Sequence, residues 1–299
     1  PSFTFISTSN WPLMVNAVPK FVDIEDRYLG LDPQRVQDSI TKSTTAIIPI
    51  HYAGLACRIE EISKISKRKK LLLIEDCAEA LGSTINKKSV GNFGEMSVFS
   101  FAPNKIISTG EGGAVCTNSE KLYNKLQLIR SHGRLLNEKY FKTNSQPNYV
   151  SLGYNWRMSS MTAALGLSQF EKIEKNIKLR RSHAKYFTDR LKNTSQIILP
   201  FETKREKHVF QLYTIRLENS NIRNKLQKYL SKCGIMTKIF FDPVHKSSFY
   251  HIKSTYHAKF LPTTTLISKQ ALSLPMFPEL TNEERSFICD KVLEFFEEK

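Results

Sequence analysis

The chain has 299 residues, 40% of them hydrophobic, which is a globular composition with room for one large core or for a large and a small domain. The longest apolar runs, such as LLLI at 71–74, have the length of a buried strand, and none approaches a membrane span. Lys and Arg number 44 against 28 Asp and Glu, a net charge of +16, but the basic residues are dispersed without interleaved aromatics, which disfavours a nucleic-acid reader and leaves a lysine-rich surface able to steer an anionic ligand.

In chain order, SFTFIST at 2–8 reads as a strand entered at once, so we expect a segment upstream of Pro1. PKFVDI (19–24) and TAIIPIH (45–51) read as strands, CRIEEISKISKRKK (57–70) as a helix, and LLLIED (71–76) as a buried strand ending in two carboxylates. MSVFSFA (96–102) and GGAVCTN (112–118) follow as strands, then a helix from 119 to 130 capped by Asn118 or Ser119 and stopped near Gly133. Strands alternating with helices predict an α/β fold with a mostly parallel sheet, whose ligand sits at the carboxyl ends of the strands. A helical pattern from about 159 to 192 carries Met161, Leu165, Phe170, Ile173 and Ile177 on one stripe and reads as a helix joining two domains. Beyond it come an alternating strand (209–217), a helix ending at Gly234, a short strand TKIFF (237–241) and a last helix opened by the capping-box spacing of Thr281 and Glu284. We expect a large domain over 1–175 and a smaller α+β domain over 176–299.

The five cysteines, Cys57, Cys77, Cys116, Cys233 and Cys289, form no CxxC pair, and the histidine spacing offers no zinc pattern. The expectation is a reducing cytoplasm and no metal.

The informative stretch is SFAPNKIISTGEGGAV, 100–115. A lone lysine in so basic a chain is ordinarily surface decoration. Lys105, however, follows a strand bearing Ser100 and precedes glycines that let backbone approach a flat group. Asp76 ends the neighbouring strand. A strand-end carboxylate suits a protonated ring nitrogen, a serine suits a phosphate, and a turn lysine suits a Schiff base with an aldehyde. Together these are the requirements of pyridoxal phosphate. Taken singly, Asp76 reads as an ordinary strand end, Ser100 as an ordinary strand serine and the glycines as turn punctuation.

IEDCAEALGS, KKSVGNFGEMSVFSFAPNKIISTGEGGAVCTN, RSHGR, LGYNWRMSSMTAALG and LSLPMFPELTNEE, in that order, resemble the DegT/DnrJ/StrS family of pyridoxal-phosphate sugar aminotransferases, as does the opening PSFTFISTSN. The resemblance runs nearly from end to end and implies aminotransferase fold type I. It implies that Lys105 bonds the cofactor, Asp76 pairs with the pyridine nitrogen, Glu79 lies near the ring as in the perosamine-synthase-like branch, Ser100 binds phosphate and Phe5 stacks on the ring. Asn155 would reach the phosphate of the other subunit's cofactor, implying a homodimer with shared active sites. Arg157 and His245 are weaker substrate-binding candidates, each with a structural reading beside it, and His132 suits a helix C-terminus. The family normally begins upstream with a Gly-Thr turn that also holds the phosphate, which this sequence lacks.

The implied reaction carries nitrogen from an amino donor, usually glutamate, to a nucleotide-linked keto-deoxysugar for surface polysaccharide or glycan synthesis. NKIISTGEGG resembles the C4-aminating type, whereas the C3 type tends to read KNLGA with GDGG. The rival readings are a C3 aminotransferase, a dehydratase relative in which histidine replaces the lysine, and a non-catalytic or regulatory relative. Lys105 argues against the dehydratase.

Overall fold

The computed structural model describes residues 1–135, 146–252 and 260–297. Four helices lie in the first 130 residues: α1 (Ser7–Met14), α2 (Pro33–Ser39), α3 (Ile59–Lys69) and α4 (Glu120–Ile129). Asp32 starts α2 by accepting from the N–H groups of Gln34 and Arg35, with Pro33 at the first helical position. α3 has Glu60 and Glu61 in its first turn and Lys67, Arg68 and Lys69 in its last, matching the helix dipole at both ends. Its Ile59, Ile62 and Ile65 recur every third residue and are buried.

The strands of this half are β1 (Ala46–Ile47), β2 (Leu72–Asp76), the hairpin β3 (Thr84–Ile85) and β4 (Lys88–Ser89), β5 (Met96–Ser100) and β6 (Gly113–Cys116). The central sheet has the order β1-β2-β5-β6. β1 with β2 and β2 with β5 are parallel, and β6 is an antiparallel edge. β2 lies between parallel neighbours, so the turns after β2 and β5 leave the same edge of the sheet and bring Asp76 and Lys105 to one place.

α5 (Ser160–Phe170) and α6 (Ile173–Leu191) lead to β7 (Ile197–Ile198), β8 (Glu206–Lys207), β9 (Tyr213–Leu217), α7 (Ser220–Lys232), α8 (Ser248–Ile252), α9 (Pro262–Gln270), β10 (Ala271–Leu274) and α10 (Asn282–Glu297). An antiparallel sheet, β10-β9-β7, packs a core of Phe187 from α6, Tyr213, Leu226 and Leu230 from α7, and Cys289 and Val292 from α10. β8 pairs with β3, tying this part to the first half. The capping box forms as the spacing predicts: Thr281 Oγ1 accepts the Glu284 N–H at 3.1 Å, and Glu284 accepts the Thr281 N–H at 2.8 Å. Among the described residues no helix is long and apolar enough to cross a membrane.

Four expectations fail locally. TKIFF (237–241) is no strand but forms only a bridge, Lys238 to Ser273. SFTFIST is not a strand: the N–H groups of Ser9 and Asn10 bond the Ile6 carbonyl and open α1. The Thr4 and Thr8 hydroxyls meet at 3.0 Å, whereas four strand residues would separate them by roughly 13 Å. PKFVDI forms only a bridge, Ile24 to Leu31, because Asp23 accepts from the N–H groups of Thr263 and Thr264 at the start of α9. The long helix breaks at Lys172 (ψ −1°), dividing its apolar stripe. Ile177 is buried, but α5 buries none of its residues, and Met161 is 84% exposed.

Candidate active site

Asp76, Glu79 and Lys105 come from two successive strand ends. The side chain of Lys105 is 15% exposed, and its Nζ lies 3.8 Å from Glu79 Oε1. The Lys105 N–H bonds the Ala102 carbonyl, and Phe101 bonds both Gly112 and Thr109, closing the loop on itself. No heavy atom lies within 4 Å of where a Cβ on Gly110 would sit (φ +79°), so the loop is open at that turn.

Glu79 is 4% exposed, and its other oxygen accepts the Ala53 N–H at 2.8 Å. Ala53 has φ +57°, a left-handed conformation unusual for a residue with a Cβ, and it is this turn that aims the amide at the carboxylate. Burial raises the Glu79 pKa, while Lys105 and the Ala53 amide pull the other way. Protonated, Glu79 can donate as well as accept. A raised acid pKa favours the fold below the unfolded-state value and loses that advantage as pH rises through the folded value. Glu79→Gln, which mimics the neutral acid, should therefore raise the melting temperature of the cofactor-free protein relative to wild type by about 2–4 °C at pH 8 and by less at pH 5. An equal offset at both pH values, measured by calorimetry, would contradict the assignment.

Among the described residues each oxygen of Asp76 receives one hydrogen-bond donor. Thr8 Oγ1 donates to Oδ2 at 2.7 Å, and the Ala78 N–H donates to Oδ1 at 3.1 Å. A carboxylate offers about four acceptor sites, so one stays free on each oxygen. An acceptor-only group at a strand end and a part-buried lysine amine in the neighbouring turn together fit a pyridine ring bearing an aldehyde.

Glu75, beside Asp76, faces the interior. Its oxygens accept from the N–H groups of Gly91, Phe93 and Gly94 at 2.7–2.8 Å and meet His51 Nε2 at 3.1 Å. Burial opposes its ionisation, but the His51 hydrogen bond and the amides outweigh that and lower its pKa. His51 Nδ1 accepts the Cys57 N–H, so Nε2 carries the proton given to Glu75. His51, Glu75 and Cys77 place ligand atoms within 4.8 Å of one another, yet these bonds occupy the histidine nitrogens and both carboxylate oxygens, so the cluster is a structural tie.

Phe5 lies between Thr4 and Thr8, 60% exposed, with its ring 6.3 Å from that of Phe241. Ser100 ends β5, and its Oγ accepts the Ala102 N–H at 3.3 Å. His245 is fastened to the start of the chain: its N–H donates to Ser2 Oγ at 3.0 Å, and its Nδ1 meets the same oxygen at 2.7 Å. Burial, with Lys246 nearby, lowers its pKa. Asn155 and Arg157 are not brought to Lys105 by a hydrogen bond among the described residues. Asn155 bridges Ser131, and Arg157 Nη1 donates to Ser131 Oγ at 3.2 Å. His132 has φ +63° at the end of α4, in keeping with a structural role. Sequence reasoning places His51, with Glu75 and Asp76, at the strand ends, but it missed Thr8 and the Ala53 amide. The paired threonines four apart were the only local signal among them.

A cleft of about 550 Å³ opens beside Asn104, lined in part by Gln211, Lys238, Phe240, Met276 and Phe287. Gln211 Nε2 donates to the Asn104 carbonyl, while its Oε1 is buried without a partner among the described residues.

Residues 1–293 match the DegT/DnrJ/EryC1/StrS aminotransferase family. A "Pleiotropic regulatory protein" of Geobacillus stearothermophilus is 36% identical over 99% of this chain and 77% of its own length. A GDP-perosamine synthase of Escherichia coli O157:H7 is 33% identical over 100% of this chain and 79% of its own. Among solved structures, Helicobacter pylori PseC, an aminotransferase involved in the biosynthesis of pseudoaminic acid, superposes with a TM-score of 0.93 at 29% identity, covering 100% of this chain and 79% of that one.

Proposed function

The chain belongs to the DegT/DnrJ/EryC1/StrS aminotransferase family, and on that premise we propose that it moves an amino group from glutamate onto C4 of a nucleotide-linked keto-deoxysugar for surface polysaccharide or glycan synthesis. It is a sugar aminotransferase, its cofactor is pyridoxal 5'-phosphate, and its substrates are a nucleotide sugar and an amino donor. The observation carrying the active-site assignment is the Lys105 amine, 3.8 Å from buried Glu79 in the turn beside Asp76.

When bound, pyridoxal phosphate supplies the electron sink for transamination. In our reading Lys105 Nζ would hold the cofactor's aldehyde and, as an amine, would carry the proton at the reacting carbon. Asp76 keeps the ring nitrogen protonated through its free lone pairs. Glu79 lies beside Lys105, where burial shifts its carboxyl toward the neutral form. Ser100 binds the phosphate, and Phe5 offers its exposed face to the ring. The buried Gln211 Oε1 suits a sugar hydroxyl, and the cleft has the size of a small-molecule site. His245 and Arg157 are the further substrate contacts.

No hydrogen bond among the described residues ties Asn155 to Lys105, and in our reading it reaches the partner's cofactor in a homodimer. Its surroundings agree: Leu152 is 80% exposed, Trp156 60% and Phe170 55%, on a segment whose helix buries nothing. We assign residues 1–175 to the cofactor-binding part and 176–299 to the smaller domain.

The test is to incubate the holoenzyme with ¹⁵N-glutamate and nucleotide-linked 4-keto or 3-keto 6-deoxysugars, reading nitrogen incorporation by NMR. Nitrogen on C4 is expected. Nitrogen only on C3 would move the assignment to the C3 type. No transfer to any sugar would favour a regulatory role, the reading suggested by the name of the Geobacillus relative.

A further inference from the structure

We propose that Thr8 is a positioning residue for the aminotransferase reaction: its hydroxyl, itself fixed by Thr4, aims the Asp76 carboxylate at the cofactor's ring nitrogen. The inference rests on the assignment of Asp76 above and concerns a residue 68 positions away in the chain. Thr8 is 9% exposed and Thr4 1%. Thr8 Oγ1 lies 2.7 Å from Asp76 Oδ2 and 3.0 Å from Thr4 Oγ1.

The direction of this chain follows from donor counting. An ionised carboxylate only accepts, so the single Thr8 proton goes to Asp76. Thr8 Oγ1 then has only lone pairs to offer Thr4, whose own proton must point at it. The order Thr4 → Thr8 → Asp76 is thus set at every link, and each bond polarises the next. Threonine suits the task, because its branched Cβ restricts the hydroxyl rotamer. With Oδ2 held by Thr8 and Oδ1 by the Ala78 amide, the carboxylate cannot rotate without breaking a charge-assisted hydrogen bond. Its remaining lone pairs keep one direction. α1 begins at Ser7 and carries Thr8, while Phe5 lies just before it, so one short segment supplies both the carboxylate's brace and the aromatic assigned to the ring face.

The experiment compares wild type, Thr8→Val, Thr8→Ser and Asp76→Asn. It reads the dissociation constant of pyridoxal phosphate by absorbance titration, the pH midpoint of the bound cofactor's visible band, and the melting temperature of the cofactor-free protein. Valine keeps the shape and removes the hydroxyl. Thr8→Val should weaken cofactor binding by about tenfold, the scale of one hydrogen bond to a charged group, and displace the pH midpoint. Its melting temperature without cofactor should stay within about 2 °C of wild type. Thr8→Ser should return affinity to within about threefold of wild type, because serine restores the donor. Thr8→Val with wild-type affinity and midpoint overturns the proposal, and so does a loss that serine fails to rescue, which would assign Thr8 to packing alone. If valine lowers the melting temperature, the serine variant decides by the same affinity criterion. Wild-type affinity and midpoint in Asp76→Asn would instead overturn the assignment of Asp76, and the role of Thr8 with it.

Discussion

Lys105→Ala should bring turnover down by about 10³-fold or more, since it removes both the covalent attachment and the proton carrier. Borohydride treatment of wild-type holoenzyme should fix the cofactor to a peptide containing Lys105, and the variant should yield no such peptide. Structure should survive, because among the described residues the side chain's ion pair is its 3.8 Å approach to Glu79. That contact has its own consequence. Lys105 is the principal influence drawing the Glu79 pKa down, so its removal should leave Glu79 more firmly protonated. Wild-type turnover in Lys105→Ala, or a label on another lysine, would sink the mechanism.

Asp76→Asn should cost about 10²-fold or more in kcat, the scale of losing a placed electrostatic partner from a reacting site. The amide is nearly isosteric with the carboxylate, so the fold should tolerate it, but two properties vanish together. The negative charge that keeps a ring nitrogen protonated is gone. The acceptor-only character that let both Thr8 and the Ala78 amide donate is gone as well, since an Asn side chain has one accepting atom and one donating atom. The loss should therefore fall on kcat more than on KM for the nucleotide sugar, which the carboxylate does not bind in our reading. Unchanged kcat would remove Asp76 from the site.

Much of this site is legible in one dimension because strand ends are. LLLIED announces a buried strand with a carboxylate at its exit, and MSVFSFAPNK repeats the arrangement with a lysine. A parallel sheet then brings the two exits to one edge, as the pairing of β2 with β5 does. Helix ends are equally readable, since Thr281 with Glu284 is a local pattern with a local result. Reading fails where a local pattern serves two outcomes. SFTFIST has the β-branched and aromatic content of a strand but turns into α1, where threonines four apart can touch. The stripe of Met161, Leu165 and Phe170 reads as one apolar face of a domain-joining helix and is exposed, because periodicity marks an apolar face without saying what covers it.

The sequence by itself determined the fold class and pointed to the groups we propose to react, through residue types tied to strand ends and through motifs in a recognisable order. Tertiary structure alone decided how those groups are held. Thr8 braces Asp76, the strained Ala53 turn gives its amide to Glu79, and His51 ties Glu75 to the 91–94 turn. The physical reason is that these are directional hydrogen bonds between residues as many as 68 positions apart. A periodic pattern records which face of an element is apolar, but a donor and an acceptor find each other only after the elements carrying them have packed.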